Sequence, residues 1–348
     1  MGSLASRLLP WLAAVLFAAV VSAPAGARTS GERRISGIDY IDLVDFCARF
    51  GFDAAVNERA RTITCKSPWT SLEFEIDSRE NVVNGMRVFF GDPIRAYAGR
   101  YWISQVDAER LLQPILRPGM NQPKVPDLKT ILIDPGHGGS DPGKYNKRVG
   151  VEEKAVALDT SLRLAKLLRA DGYKVVLTRE DDRQLADSKV DDLIKRAEIA
   201  KQSGADLFIS LHYNSVESGA DRVTGVEVFT LTPQHQYSTS DSTHEDDDGA
   251  RTFVPGNRFD HWNTMVGFAV DRTMHERLRT ADRGLKRARF KVLVLAPCPA
   301  LLVESGYLSN DAEARKIATP AYRQQIAEAI ESGIAGYASL LDTLRAKR

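Results

Sequence analysis

Short apolar runs and helically spaced apolar positions alternate along the last two thirds of the chain. Residues 131–135, 173–178, 206–211, 225–231, 290–295 and 300–303 read as strands. Between them, Glu153–Ala170 sets Leu158, Leu162, Ala165 and Leu168 at helical spacing, and Gly172 stops the pattern. Residues 191–203 place Leu193, Ile194, Ala197 and Ala200 on one side of a second helix, closed by Gly204. Residues 263–280 and 320–341 predict two more helices, the last with Thr319 as N-cap before Pro320. This alternation predicts an α/β fold, a layered, largely parallel sheet with helices on both faces.

The pattern before residue 118 is different. Ile41, Val44, Phe46 and Cys47 predict a brief helix over 40–50, and 106–115 a second one. Residues 62–65 and 72–76 alternate as half-buried strands, and Asn84-Gly85 marks a hairpin because both residues accept the positive φ of a type I′ turn. A small α+β domain over 35–118 is expected, then a linker over 119–128, where Pro118, Pro123 and Pro126 interrupt regular structure, then a catalytic domain over 129–345. Residues 1–27 have the three parts of a secretory signal peptide: a short basic start at Arg7, an apolar stretch over 8–21, and small residues at Ala25-Gly-Ala27. The apolar stretch falls short of the ~20 residues that span a bilayer and contains Pro10. Export with cleavage is expected, leaving no stable membrane anchor and a periplasmic or extracellular protein.

Composition narrows the functional classes. The 348 residues are 43% apolar and 27% charged, as in ordinary globular proteins. Loss of 1–27 removes only Arg7, so 46 basic residues face 46 acidic ones and no basic field points to nucleic acid. Of three cysteines, Cys47 and Cys65 either pair in an oxidising compartment or stay as small buried hydrophobes; Cys298 has no partner in its own domain. No Cys-x-x-Cys occurs, which argues against a thiolate metal site.

Candidate chemistry gathers at strand ends. His137 follows the 131–135 run, His212 follows 206–211, and Glu304 follows 300–303; such ends collect on one edge of an open α/β sheet. A catalytic zinc takes three protein ligands, commonly two His and one Glu, and keeps a fourth position for water. The glycine-rich loop after His137 returns the chain to that edge, where Glu152 and Glu153 open the next helix. Asn214 and Arg179 are further candidates, for substrate contact or support of the site. His275 lacks the second histidine of a His-Glu-x-x-His helix. His235, His244 and His261 fall in a long polar stretch over 232–262, expected to be a loop beside the active-site edge.

Taken in order, Ile133-Asp-Pro-Gly-His137-Gly-Gly, Glu153-Lys154-x-x-x-Leu158, Val176-Leu-Thr-Arg179, Arg196-Ala-x-x-Ala200, Ile209-Ser-Leu-His212-Tyr-Asn214, Gly225-Val-Glu-Val, Asp282-Arg-Gly-Leu285 and Val303-Glu304-Ser-Gly-Tyr-Leu-Ser-Asn310 resemble the zinc-dependent N-acetylmuramoyl-L-alanine amidases. The resemblance spans 129–342. It implies one zinc ion held by His137, Glu153 and His212, with Glu304 as catalytic carboxylate, and peptidoglycan as the substrate. Glu153 is preferred to Glu152 because the family's ligand directly precedes lysine. The same resemblance keeps open a non-catalytic wall-binding or regulatory protein, or a zinc carboxypeptidase or deacetylase of the wall. A monomer is expected, with any activating partner unspecified. Residues 35–118, with Tyr40-Ile-Asp-Leu43, Tyr101-Trp-Ile-Ser and the Asn-Gly turn, resemble the copper amine oxidase-like N-terminal domain of exported bacterial proteins. No copper is implied, since the segment has no histidine.

Overall fold

The computed structural model describes residues 31–120, 124–239 and 252–347. The leader predicted over 1–27 lies outside the described residues, and no described helix is long and apolar enough to cross a membrane. Six strands build the sheet that carries the site: β1 (Thr130–Pro135), β2 (Lys174–Leu177), β3 (Leu207–Asn214), β4 (Val226–Leu231), β5 (Asp282–Ala288) and β6 (Ala300–Tyr307). They lie in the order β2-β1-β3-β6-β4-β5. All neighbouring pairs are parallel except β4 with β6, which run antiparallel with Glu227 opposite Glu304.

Strand alternation divides the core into two layers. Ile131, Ile133, Ile209, Leu211, Val228, Leu301 and Val303 face one side, under α1 (Glu153–Ala170), α3 (Asp260–Leu278) and α5 (Pro320–Ala346). Leu132, Phe208, Phe229, Leu231 and Leu302 face the other, against α2 (Lys189–Ser203) and the short helix Lys291–Val294. The period of two along each strand sorts the side chains in this way. Local signals fix the helix ends: Ser188 accepts from the Asp191 amide, Gly204 ends α2 in the left-handed region, and Thr319 accepts from the Tyr322 amide. An eight-residue helix, α4 (Asp311–Ala318), is capped by Asn310.

Several expectations need correction. The strand expected over 290–295 is the short helix Lys291–Val294, and the true strand lies earlier, at β5. Five apolar residues among six fit a buried helix as well as a strand, whereas β5 is masked by Lys286 and Arg287, charges that are paired rather than solvated. The helix expected from residue 40 starts at Leu43, because Ile38–Asp42 is a strand whose last residue caps it. The stretch over 232–262 is also less loop-like than expected: Pro255–Phe259 is helical and α3 begins at Asp260. Its centre, 240–251, with His244 and the acidic run, lies outside the described residues.

The first part of the chain continues the same sheet. Met86–Phe89 pairs with β5 at Val88 and Leu285, followed outward by Glu80–Val83, Ser71–Glu75, Thr62–Lys66 and Asp53–Asn57, eleven strands in all among the described residues. Asn84 and Gly85, at φ 52° and 81°, make the expected tight turn. The junction is polar and buried. The Arg87 amide donates to the Asp282 carboxylate at 2.8 Å, and Arg287 reaches Asp107 at 3.0 Å with both side chains almost fully enclosed. Cys47 and Cys65 are free thiols in contact with each other; that hydrogen bond, together with burial, pushes the Cys47 thiol far above its usual range.

Candidate active site

The carboxyl ends of β1 and β3 and the start of α1 meet over the α2 face of the sheet. His137 leaves β1 with φ 60°, a left-handed turn that sends the chain back across the sheet edge. Residues 138–150 then return through a small hairpin, Tyr145–Asn146 with Val151–Glu152, to Glu153 at the first position of α1. Two glycines are required by crowding. A Cβ on Gly136 would lie 2.3 Å from a His212 ring carbon, and one on Gly143 would lie 2.5 Å from the Glu153 carboxylate and 2.7 Å from the His137 ring.

The result is a compact donor cluster. Glu153 Oε1 sits 3.0 Å from His137 Nε2 and 3.0 Å from His212 Nδ1, and one ligand atom from each of the three residues lies within 4.8 Å of the other two. The remaining atoms are committed elsewhere: His137 Nδ1 to Asp141 at 2.9 Å, and Glu153 Oε2 to the Lys144 amide at 2.8 Å. Burial penalises the Glu153 carboxylate, yet the two imidazoles outweigh it and hold its pKa well below the ordinary range. Burial would likewise lower His137, but Glu153 and Asp141 prevail and raise it. Two imidazoles and a buried carboxylate that stabilise positive charge at one point form a donor set that fits a divalent cation. Glu152 stays outside, 40% exposed and 3.8 Å from Lys154 Nζ.

Glu304 lies beside this cluster, directly opposite His212 in the β3–β6 register. Its Oε2 is buried without a hydrogen-bond partner among the described residues. Burial first, then the charges of Glu153 and Glu227, push its carboxyl well above the usual range, with Lys286 opposing. His137, Glu153, His212, Asn214 and Glu304 line one cavity of about 660 Å³, whose rim includes Gln184, Lys189, Phe290 and Lys291.

Of the other candidates, Asn214 lines the cavity and is tied to its wall, while Arg179 supports the centre from beneath. Asn214 donates to Glu227, and its own carbonyl accepts from the Ser215 amide at 2.6 Å. Arg179 is buried and donates to the carbonyls of Pro135, Gly136, Lys154 and Asp181, holding the loop ends together. Two residues quoted in motifs, without a role, prove central to the frame. Arg196 joins α2 to Asp134, to the Pro135 carbonyl and to the His137 carbonyl. Glu227 is fully buried, accepts from Tyr307 Oη at 2.6 Å and pairs with Lys286. The signal for Glu227 was an ionisable residue inside an apolar run, which demands a partner; Arg196 sits among polar residues and carried no such signal. His235 is exposed, His261 bonds the Pro118 carbonyl at 3.0 Å, and neither they nor His275 join the cluster.

Comparison with known proteins agrees with this chemistry. The N-acetylmuramoyl-L-alanine amidase family matches residues 131–336. An uncharacterised cell wall amidase of Bacillus anthracis is 31% identical over 70% of this chain, which spans 40% of that longer protein. The N-acetylmuramoyl-L-alanine amidase AmiA of Salmonella typhimurium is 30% identical over 64% of this chain and 81% of its own. The crystal structure of an N-acetylmuramoyl-L-alanine amidase from Clostridium difficile 630 aligns with 61% of this chain and 97% of that one, at 30% identity and a TM-score of 0.49. With more than half of its length matched, the chain belongs to the N-acetylmuramoyl-L-alanine amidase family, hydrolases that act on the cell wall outside the cytoplasm.

Proposed function

We propose that this protein hydrolyses the amide between the lactyl group of N-acetylmuramic acid and L-alanine in peptidoglycan, with zinc held by His137, Glu153 and His212. The observation that carries the reading is one carboxylate oxygen of Glu153 shared by two imidazoles, beside a Glu304 oxygen that nothing else satisfies. Bound zinc supplies acidity to a coordinated water and polarises the scissile carbonyl. Glu304, beside the three metal-ligand candidates and with an oxygen that nothing else satisfies, would take the proton of the attacking water and deliver it to the departing amine of L-alanine. Asp141 fixes the His137 ring through Nδ1, leaving Nε2 for the metal. Asn214 and Arg179 act as supports, through Glu227 and through the loop carbonyls.

Export follows from a wall substrate and from the leader pattern in residues 1–27, with residues 35–118 as an accessory unit of the copper amine oxidase-like type and the mature protein a monomer. Purified protein incubated with peptidoglycan is expected to free the amino group of L-alanine and leave the lactyl carboxylate; a chelator abolishes this and zinc restores it. Release of a terminal D-amino acid or of acetate would instead establish a carboxypeptidase or a deacetylase, and metal-loaded protein that binds peptidoglycan without cutting it would establish a non-catalytic role.

A further inference from the structure

The two walls of the cavity are built alike and charged differently. On one side α2 begins at Lys189, and its Arg196 is locked to Asp134 and to the His137 carbonyl. Adjoining it, with the short helix Lys291–Val294 in contact with α2, Phe290 and Lys291 follow β5, where Arg287 is buried against Asp107 and Arg289 donates to the carbonyls of Pro233 and Gln236. Val292 and Leu293 then bury into the second core. Each wall is therefore rigid and ends in an exposed lysine at the rim.

Among the described residues neither lysine has an ion-pair or hydrogen-bond partner. Lys189 is nevertheless offset, since Asp187 and Asp141 line the cavity on its side and Lys189 feels the Asp141 charge. Lys291 has no carboxylate beside it in sequence: Phe290 and Val292 flank it in the cavity lining. Phe290 is 38% exposed and held edge-on to Phe229 at 5.2 Å between ring centroids, so it offers a fixed apolar surface next to a free cation.

On the amidase reading, the scissile bond joins a neutral sugar moiety to a peptide, and only the peptide carries carboxylates close to the bond. We infer that Lys291, with the Phe290 ring beside it, is a specificity-determining residue that receives a free carboxylate of the peptide stem, making this wall the peptide side of the groove. An ammonium rising from a fixed wall and facing a carboxylate recognises it as a point charge, and a carboxamide at the same place forfeits the attraction. This rests on the proposed function for the identity of the peptide, while the anion site itself rests on the wall geometry.

The test uses the zinc-loaded full chain and two muramoyl peptides that differ at the second residue, one with a free α-carboxylate and one with a carboxamide. Binding of the corresponding free peptides by calorimetry is measured alongside cleavage. The expected result is a preference of about tenfold for the carboxylate, expressed in KM rather than kcat and weakened by salt. Lys291→Met is expected to reduce the ratio to within about twofold, Lys291→Arg to keep most of it, and Lys189→Met to leave it unchanged, with zinc content constant throughout. A wild-type ratio near one, or a ratio that survives Lys291→Met, overturns the inference. Loss of cleavage of both substrates by the wild type, with the binding preference intact and dependent on Lys291, would instead remove the hydrolase reading and leave the anion site standing.

Discussion

Single atoms decide the chemistry at this centre. Glu304→Gln preserves volume but cannot carry the proton, so kcat is expected to fall on the order of a thousandfold with metal content unchanged, as read by turnover and by metal analysis. Zinc loss in that variant would make Glu304 a ligand instead. Gly136 needs no unusual backbone angle, yet a methyl there would overlap the His212 ring. Gly136→Ala should therefore shift His212 and cost about 1–3 kcal/mol, measured as reduced zinc occupancy together with a lowered urea midpoint. The histidines and Glu304 were legible as ionisable residues at the ends of apolar runs. Which glutamate faces them was legible only through the family resemblance, in the lysine that follows Glu153, because Glu152 and Glu153 are adjacent and the hairpin Tyr145–Asn146 with Val151–Glu152 turns one of them inward.

At the level of elements, the site depends on how α2 is fastened to the end of β1. Arg196 makes that joint almost alone, between the buried carboxylates of Asp134 and Asp192 and the carbonyls of Pro135 and His137. Arg196→Met leaves two buried carboxylates without their cation, and stability should drop by roughly 3 kcal/mol or more in chemical denaturation. Arg196→Lys is expected to rescue only part, since an ammonium cannot span the same four acceptors. The strands β1, β3 and β6 were readable because no charge interrupts their apolar runs. β5 was not, because Lys286 and Arg287 sit inside it and their partners, Glu227 and Asp107, are 59 and 180 residues away in sequence. Periodicity reports a strand only when its buried positions are apolar.

Across the whole molecule, the junction between the first part of the chain and β5 is where pH should act on stability. Asp92 is 1% exposed beside Asp107, and burial together with that neighbouring charge raises its carboxyl to about 7. A carboxyl raised in the folded state favours folding while protonated. Its stabilisation is full below the ordinary carboxylate value near 4 and is lost progressively as pH rises toward about 7. Asp92→Asn removes the dependence, so the variant should melt about 3 °C or more above the wild type at pH 8, with the gap narrowing at pH 5 in differential scanning calorimetry. Equal melting at both values would show that Asp92 is ionised at little cost.

The sheet that runs unbroken from Asp53–Asn57 to β2 also determines where this protein is adhesive to itself. Its two open margins are short, five residues at Asp53–Asn57 and four at β2. Cutting the chain back to its family-matched portion would strip Met86–Phe89 away and expose β5, seven residues long, with Arg287 deprived of Asp107. Unpaired strand margins of that kind recruit strands from other molecules. The shortened protein should accordingly scatter light and form assemblies at concentrations where the full chain stays dispersed, so the strands between Asp53 and Phe89 serve as a permanent shield against polymerisation, whatever else they contact.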